Sequence, residues 1–155
     1  MNLNQLKQDI ITPTLSILQA YSDDAMELLI FTCAVESNGG EYVKQINGPA
    51  LGIYQMEPAT HSDIWSNYIR RNVRLQQIIG LNFNCPTVPN TDRLVYDLRY
   101  ATMMARLNYM RFPEALPDRN DHEALFEYYK KYYNTEFGKA TKAESIKKYK
   151  AFIKA

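Results

Sequence analysis

The segment AMELLIFTCAV at positions 25–35 constrains the fold more than any other part of the chain, because its residues are almost all apolar. Ser22 precedes it together with two aspartates, a pattern typical of a helix N-cap followed by an acidic first turn. We therefore expect a helix that runs to about residue 38. Glu27 and Thr32 interrupt the apolar run, which is too short to cross a bilayer. The segment is predicted to be a core helix of a globular protein.

The other periodic segments also have helical spacing, and no segment shows the strict alternation of a strand. Pro58 marks the start of one predicted helix, and Thr141 with Glu144 forms a capping box for the last one. A short β-hairpin over 40–54 is the one strand-like element that the sequence allows. The predicted helices cover 3–20 in two pieces, 58 to about 69, 71–80 ending at Gly80, 92–111, 122–133 and 142 onward.

Composition excludes several classes of protein. The chain has 155 residues, and 46% of them are hydrophobic, which excludes disorder and suits one mainly α domain spanning 1–155. Its 18 basic and 17 acidic residues leave a net charge of +1, so no overall field attracts nucleic acid. Cys33 and Cys85 are expected to be free thiols. Because His61 and His122 lack metal-ligand spacing and no nucleotide-binding glycine motif is present, we expect no metal and no cofactor.

Two features at the chain ends concern location and charge. The first residues lack the basic start and apolar stretch of a signal peptide, so we expect the chain to stay in the cytosol unless something else releases it.

The last predicted helix is basic. A solvated surface is the favoured interpretation, and attraction to an anionic envelope, such as outer-membrane lipid, is the alternative. The lysines concerned are Lys142, Lys147, Lys148, Lys150 and Lys154.

Glu36 stands where the apolar core helix is predicted to end. Removal from water and the negative end of the helix dipole both disfavour a carboxylate there, so both raise its pKa. A carboxylic acid that keeps its proton near neutral pH is suited to general acid catalysis. The structural alternative is that Glu36 is merely the first exposed residue after the helix. The glycine-rich segments that follow, and Gln55 after them, favour a ligand site.

Three motifs together resemble the goose-type lysozyme and soluble lytic transglycosylase family, which cleaves the glycan strands of peptidoglycan. They are Glu36-Ser37, the stretch Gly52-Ile53-Tyr54-Gln55 followed by Pro58-Ala59-Thr60, and the looser Tyr132-Tyr133-Asn134. The compact arrangement looks most like small single-domain bacteriophage endolysins of this group. The resemblance implies a lysozyme-like fold and makes Glu36 the catalytic acid.

The same resemblance implies roles for other residues. Ser37 and Gln55 would line the substrate cleft, and Tyr54 would contact a sugar. Tyr133 and Asn134 would close the site from the far side.

Glu57 bears on the mechanism. Goose-type lysozymes carry an acid near this position, and an inverting hydrolase needs a second carboxylate to activate water. A lytic transglycosylase needs none, because one glutamate acts as acid and then as base. Glu57 therefore favours hydrolysis, although a glutamate before Pro58 also suits a helix N-terminus. Glu41 and Asp63 are weaker candidates for the second carboxylate.

The hypothesis that follows is a monomeric muramidase endolysin. It would cut the β-1,4 bond between N-acetylmuramic acid and N-acetylglucosamine in bacterial peptidoglycan, and it would remain in the host cytoplasm until released to the periplasm for lysis. A lytic transglycosylase giving 1,6-anhydromuramic acid is the alternative within the same family. From other classes, a non-catalytic wall-binding virion protein and a helical interaction module using 141–155 remain open.

Tyrosine is unusually abundant, with 12 residues. Four of them fall in the stretch 128–133, where Tyr128 with Tyr132 and Tyr129 with Tyr133 have i, i+4 spacing. Such spacing predicts two stripes on one helix. We expect one stripe to pack in the core and the other to face the cleft.

Overall fold

The computed structural model describes residues 1–134 and 138–155, and it confirms a mainly helical fold. Two π-helical segments and a 3-10 turn interrupt the α-helices. The π segments are Leu6–Ile11 and Lys130–Asn134, and the 3-10 turn is Ile69–Arg71. The α-helices of the described residues are α1 (Leu3–Gln5), α2 (Thr12–Ile17), α3 (Asp23–Ser37), α4 (Pro58–Asn67), α5 (Val73–Phe83), α6 (Arg93–Tyr96), α7 (Leu98–Met110), α8 (His122–Tyr129) and α9 (Lys142–Lys154).

Helix α3 lies at the centre of the fold, as its apolar sequence predicts. It packs against α7, α8, α9 and the first π segment, and its apolar side chains are buried. Ser22 caps its N-terminus by accepting a hydrogen bond from the backbone N–H of Ala25 at 3.0 Å. Asn38 ends it in the left-handed conformation, with φ 52°. The predicted start and end of this helix are therefore confirmed.

Two predicted helix boundaries are wrong. Helix α5 continues past Gly80 and ends at Asn84, which takes the left-handed conformation that a terminating glycine would otherwise supply. The helix predicted over 92–111 is broken at Asp97, whose backbone is extended. The carboxylate of Asp97 caps α7 through the N–H of Tyr100 at 2.9 Å and pairs with Arg93 at 3.0 Å, which compensates for the lost helical turn.

The segment 40–54 forms no hairpin among the described residues. It contains only an isolated bridge between Lys44 and Leu51, and a second one joins Leu51 to Met56. Gly52 has φ +81°, and a Cβ there would collide with the carbonyl oxygen of Leu94. The segment is thus a turn-rich loop whose close contact with α6 requires glycine, and it leads directly into α4.

Both cysteines are buried and free, as predicted. The buried apolar side chains of α3, α7, α8 and α9 belong to one cluster. Within residues 1–134 and 138–155, none of the helices combines the length and the apolar composition that crossing a bilayer requires.

Candidate functional site

A cleft of about 780 Å³ opens at the C-terminal end of α3. The loop before α4 and the start of α4 form one wall, and α9 with the residues before it forms another. Helix α7 and the π segment Lys130–Asn134 complete it. The volume lies in the range of small-molecule ligand sites.

Glu36 is the penultimate residue of α3 and lines this cleft. One carboxyl oxygen, Oε1, accepts a hydrogen bond from the hydroxyl of Tyr129 at 2.5 Å. Burial raises the pKa of Glu36 to about 7, although the Tyr129 hydrogen bond and the positive charge of Lys148 both act to lower it. Removal of the carboxyl from water is therefore the dominant effect, as the sequence indicated.

Tyr129 belongs to one of the two predicted tyrosine stripes, but its contact with Glu36 was not predicted from the sequence. Its ring is buried and packs against Phe31 of α3 with the ring centroids 5.6 Å apart. Burial and the adjacent carboxylate of Glu36 raise the pKa of its hydroxyl, so it remains a hydrogen-bond donor. The signal available in the sequence was its i, i+4 spacing to Tyr133.

The two tyrosine stripes face different surroundings, as expected. Tyr129 and Tyr133 line the cleft. Tyr128 instead donates to the carbonyl of Glu114 at 2.9 Å, on the side away from the cleft. Tyr132 stacks on Phe112, a residue outside the cleft, with centroids 4.4 Å apart.

The π segment carries the predicted Tyr133 and Asn134 into the cleft. The Tyr133 hydroxyl donates to the backbone carbonyl of Tyr54 at 2.7 Å. Lys130 donates to the side chain of Asn134 and to the carbonyl of Gly138, each at 2.7 Å. A π turn is wider than an α turn and is often found at functional sites. Here it holds Tyr133 against the loop that precedes α4.

Two predicted cleft residues lie behind the cleft wall. Ser37 is buried, and its hydroxyl donates to the carbonyl of Ile53 at 2.6 Å and accepts from the N–H of Gly40 at 2.9 Å. Tyr54 is 1% exposed, and its hydroxyl pairs with Thr102 at 2.9 Å. Neither side chain lines the cleft, in contrast to the expectation that Ser37 would line it and Tyr54 would contact a sugar. Both side chains instead fix the loop to the core.

Gln55 lines the cleft, as expected, and is 9% exposed. Its backbone has φ 51°, in the left-handed region that a residue with a side chain rarely adopts. Its side-chain amide donates to the carbonyl of Gly52 at 2.9 Å. Strain of this kind is concentrated at functional sites, and here it directs Gln55 toward the cleft while Tyr54 enters the core.

Glu57 is exposed and lines the same cleft as Glu36. It is the N-cap residue of α4, and its side chain makes no capping hydrogen bond. Glu41 accepts a hydrogen bond from Asn38 at 3.0 Å and does not line the cleft. Asp63 pairs with Arg111 at 2.5 Å, and hydrogen bonds from Asn67 and Arg111 lower its pKa. Of the three candidates for a second carboxylate, the structure brings Glu57 into the cleft with Glu36.

The basic residues of α9 lie on different surfaces, and Lys142 pairs with Glu127 of α8 at 3.2 Å. Lys148 lines the cleft, close enough to Glu36 to influence its pKa. Lys147, Lys150 and Lys154 lie around a shallow depression on a different face of the helix. The α9 wall of the cleft therefore carries one basic side chain, Lys148, and one acidic side chain, Glu144.

The histidines and acidic residues provide no metal centre in the described parts of the chain, where no group of three potential ligands comes together. His61 is a core residue. Its Nε2 pairs with the Tyr100 hydroxyl at 2.7 Å, and burial lowers its pKa to about 4.

Comparison with known proteins adds no identification: no protein-family model matches this chain, and no curated protein or solved structure is significantly similar to it.

Proposed function

We propose that this chain is a peptidoglycan glycosidase of lysozyme-like fold that uses Glu36 as its general acid. The observation that carries the proposal is a carboxyl group with a pKa of about 7 that lines an open cleft. Such a group is protonated in a large fraction of molecules near neutral pH and ionises readily after giving up its proton. The motif resemblance to goose-type lysozymes and lytic transglycosylases supports the same role.

In the proposed reaction, Glu36 protonates the oxygen of the β-1,4 bond between N-acetylmuramic acid and N-acetylglucosamine. The bond then breaks through an oxocarbenium-like transition state. The Tyr129 hydroxyl hydrogen-bonds to Glu36, and it would stabilise the carboxylate that forms as the proton leaves. Tyr129 thus eases proton transfer without itself contacting the bond.

Glu57 is the proposed base that activates water in a hydrolytic mechanism, because it lines the same cleft as the acid. An inverting hydrolase holds its two carboxyl groups about 6.5–9.5 Å apart, with the water between them. Lytic transglycosylation is the second candidate reaction. It is favoured by the exposure of Glu57, whose side chain has no capping hydrogen bond to orient it, and by the pKa of Glu36, which suits both an acid and a base.

The proposed biological role is that of a monomeric bacteriophage endolysin, held in the host cytoplasm and acting on peptidoglycan once it reaches the periplasm. The exposed lysines of α9 away from the cleft supply a surface for anionic outer-membrane lipid. A non-catalytic wall-binding virion protein is the alternative from another class, and an inactive wild-type chain that still binds the wall would favour it.

Purified sacculi and mass spectrometry of the released fragments test the proposal. The wild-type chain should release muropeptides, and Glu36→Gln should fold but release none. Reducing ends indicate hydrolysis and 1,6-anhydro ends indicate transglycosylation. Glu57→Gln should abolish the release of muropeptides if the reaction is hydrolysis, and it should leave the release unchanged if the reaction is transglycosylation. Glu41→Gln is the matched control, because it removes an exposed carboxylate outside the cleft. Full activity of Glu36→Gln would refute the assignment.

A further inference from the structure

Asn108 is a cleft residue that none of the family motifs includes. It lies in the last turns of α7, is 3% exposed and lines the cleft. Arg111, at the end of the same helix, contacts it twice. One guanidinium nitrogen, Nη2, donates to Oδ1 of Asn108, and Nε donates to its backbone carbonyl at 3.4 Å. Nη1 of Arg111 donates to Asp63 of α4 at 2.5 Å.

These contacts determine which way the amide of Asn108 points. A guanidinium only donates hydrogen bonds, so the side-chain atom that faces Arg111 must be the oxygen. The amide nitrogen Nδ2 is therefore turned away from Arg111. It donates to no acceptor among residues 1–134 and 138–155, although the residue is almost completely buried. A donor with no partner in the described residues is thus left at the cleft wall, where a ligand or a water molecule can accept its hydrogen bond.

The charge around Asn108 indicates what kind of acceptor it suits. The carboxylate of Asp63 lies 2.5 Å from the guanidinium of Arg111 and balances its positive charge. The Asn108 amide therefore has a neutral ion pair next to it and no net charge. An anionic group would instead find a cation at Lys148, on the α9 wall of the same cleft. Asn108 is therefore matched to a neutral oxygen. On the sugars of a wall glycan, the carbonyl of the acetamido group is the strong neutral acceptor.

We infer that Asn108 binds the acetamido carbonyl of a substrate sugar, and that Arg111 and Asp63 are positioning residues for its amide. This inference rests on the proposed function and adds a determinant of substrate specificity to it. In this arrangement, Asn108 on the α7 wall selects glycans that carry N-acetyl groups. Glu36, the proposed acid, extends into the same cleft from α3.

Calorimetric binding of two neutral tetrasaccharides to the Glu36→Gln protein tests the inference without requiring turnover. Chitotetraose carries acetamido groups, whereas cellotetraose has the same β-1,4 backbone with hydroxyls in their place. The protein should bind chitotetraose more tightly. Adding Asn108→Asp keeps the oxygen that pairs with Arg111 but removes the donor. It should weaken chitotetraose binding about three- to tenfold, the effect of one lost hydrogen bond, and leave cellotetraose binding unchanged.

Two substitutions at Arg111 separate positioning from general structural support. Arg111→Lys retains a donor for Asn108 and should keep most of the preference for chitotetraose, whereas Arg111→Met should lose it at unchanged cellotetraose affinity. Any one of three results would overturn the inference. Asn108→Asp could weaken the binding of both sugars equally, it could leave the preference for chitotetraose unaltered, or the protein could fail to bind chitotetraose at all. If the wild-type chain releases no muropeptides while this preference is present and depends on Asn108, the glycosidase proposal fails and the binding site stands.

Discussion

Replacing Glu36 with glutamine should make the protein more stable above pH 7 and leave its stability unchanged below pH 4.5. Folding raises the pKa of this carboxyl from its ordinary 4.5 to about 7, because the Glu36 side chain is largely removed from water where it lines the cleft. Between these two values the unfolded chain has lost the proton and the folded chain has kept it. The unfolding free energy therefore falls as pH rises through this interval, and it levels off above pH 7.

The size of the effect follows from the two pKa values. At 1.36 kcal/mol per pH unit, the interval from 4.5 to about 7 corresponds to roughly 3 kcal/mol. Glutamine has nearly the same shape, stays neutral, and offers Tyr129 an oxygen to donate to, so it should avoid this loss. For a chain of this size, about 3 kcal/mol is a rise in Tm of roughly 6–12 °C at pH 8.

Urea unfolding of both proteins at several pH values between 4 and 8 measures the difference directly. Other groups titrate in both proteins, so their contributions cancel when the two curves are subtracted. Glu57→Gln is the control for removing an exposed carboxylate from the same cleft, and the gain from Glu36→Gln should exceed its effect. Equal stability of wild type and Glu36→Gln across this range would show that the carboxyl is not desolvated, and the argument for a protonated acid would fail.

Two further predictions concern the acid and the backbone. Tyr129→Phe removes a hydrogen-bond donor that favours the ionised form of Glu36. The alkaline limb of the pH–activity profile should therefore move up by about one pH unit. If the limb does not move, the hydrogen bond plays no part in the mechanism. Gly52→Ala should lower the unfolding free energy by about 2 kcal/mol or more, because φ is +81° and the Cβ meets the Leu94 carbonyl. Gly80→Ala, in an open position inside α5, should instead raise it by about 0.5–1 kcal/mol in urea unfolding; destabilisation there would contradict the helical assignment.

The parts of the fold that the sequence predicted correctly are those decided by neighbouring residues. The ends of α3 follow from Ser22 and from the Asn38 turn, and the start of α9 follows from Thr141, which caps it. The break at Asp97 was not predictable in the same way. Its carboxylate pairs with Arg93, which in turn donates to the carbonyl of Phe83 at 2.5 Å, so the break depends on the end of α5.

The candidate site shows the same division between local and long-range information. The position of Glu36 at the end of an apolar helix could be deduced from adjacent residues, and so could its raised pKa. The hydrogen bond from Tyr129 joins residues 93 positions apart, and no local pattern specifies it. The orientation of the Tyr54 side chain could not be predicted from the sequence either. The left-handed backbone of the next residue, Gln55, sends one side chain to the core and the other to the cleft.

The contacts of α8 and its π extension explain why the acid and the cleft are formed together. The Tyr129 hydroxyl bonds to Glu36 on α3, and the Tyr133 hydroxyl bonds to the carbonyl of Tyr54 in the loop before α4. The segment formed by α8 and its π extension therefore contacts both Glu36 and the loop that forms the opposite wall of the cleft. If this segment opened locally, water would reach Glu36, and its pKa would fall toward its ordinary value. The candidate acid would then lose its proton near neutral pH, so the capacity for general acid catalysis depends on this segment staying packed against α3.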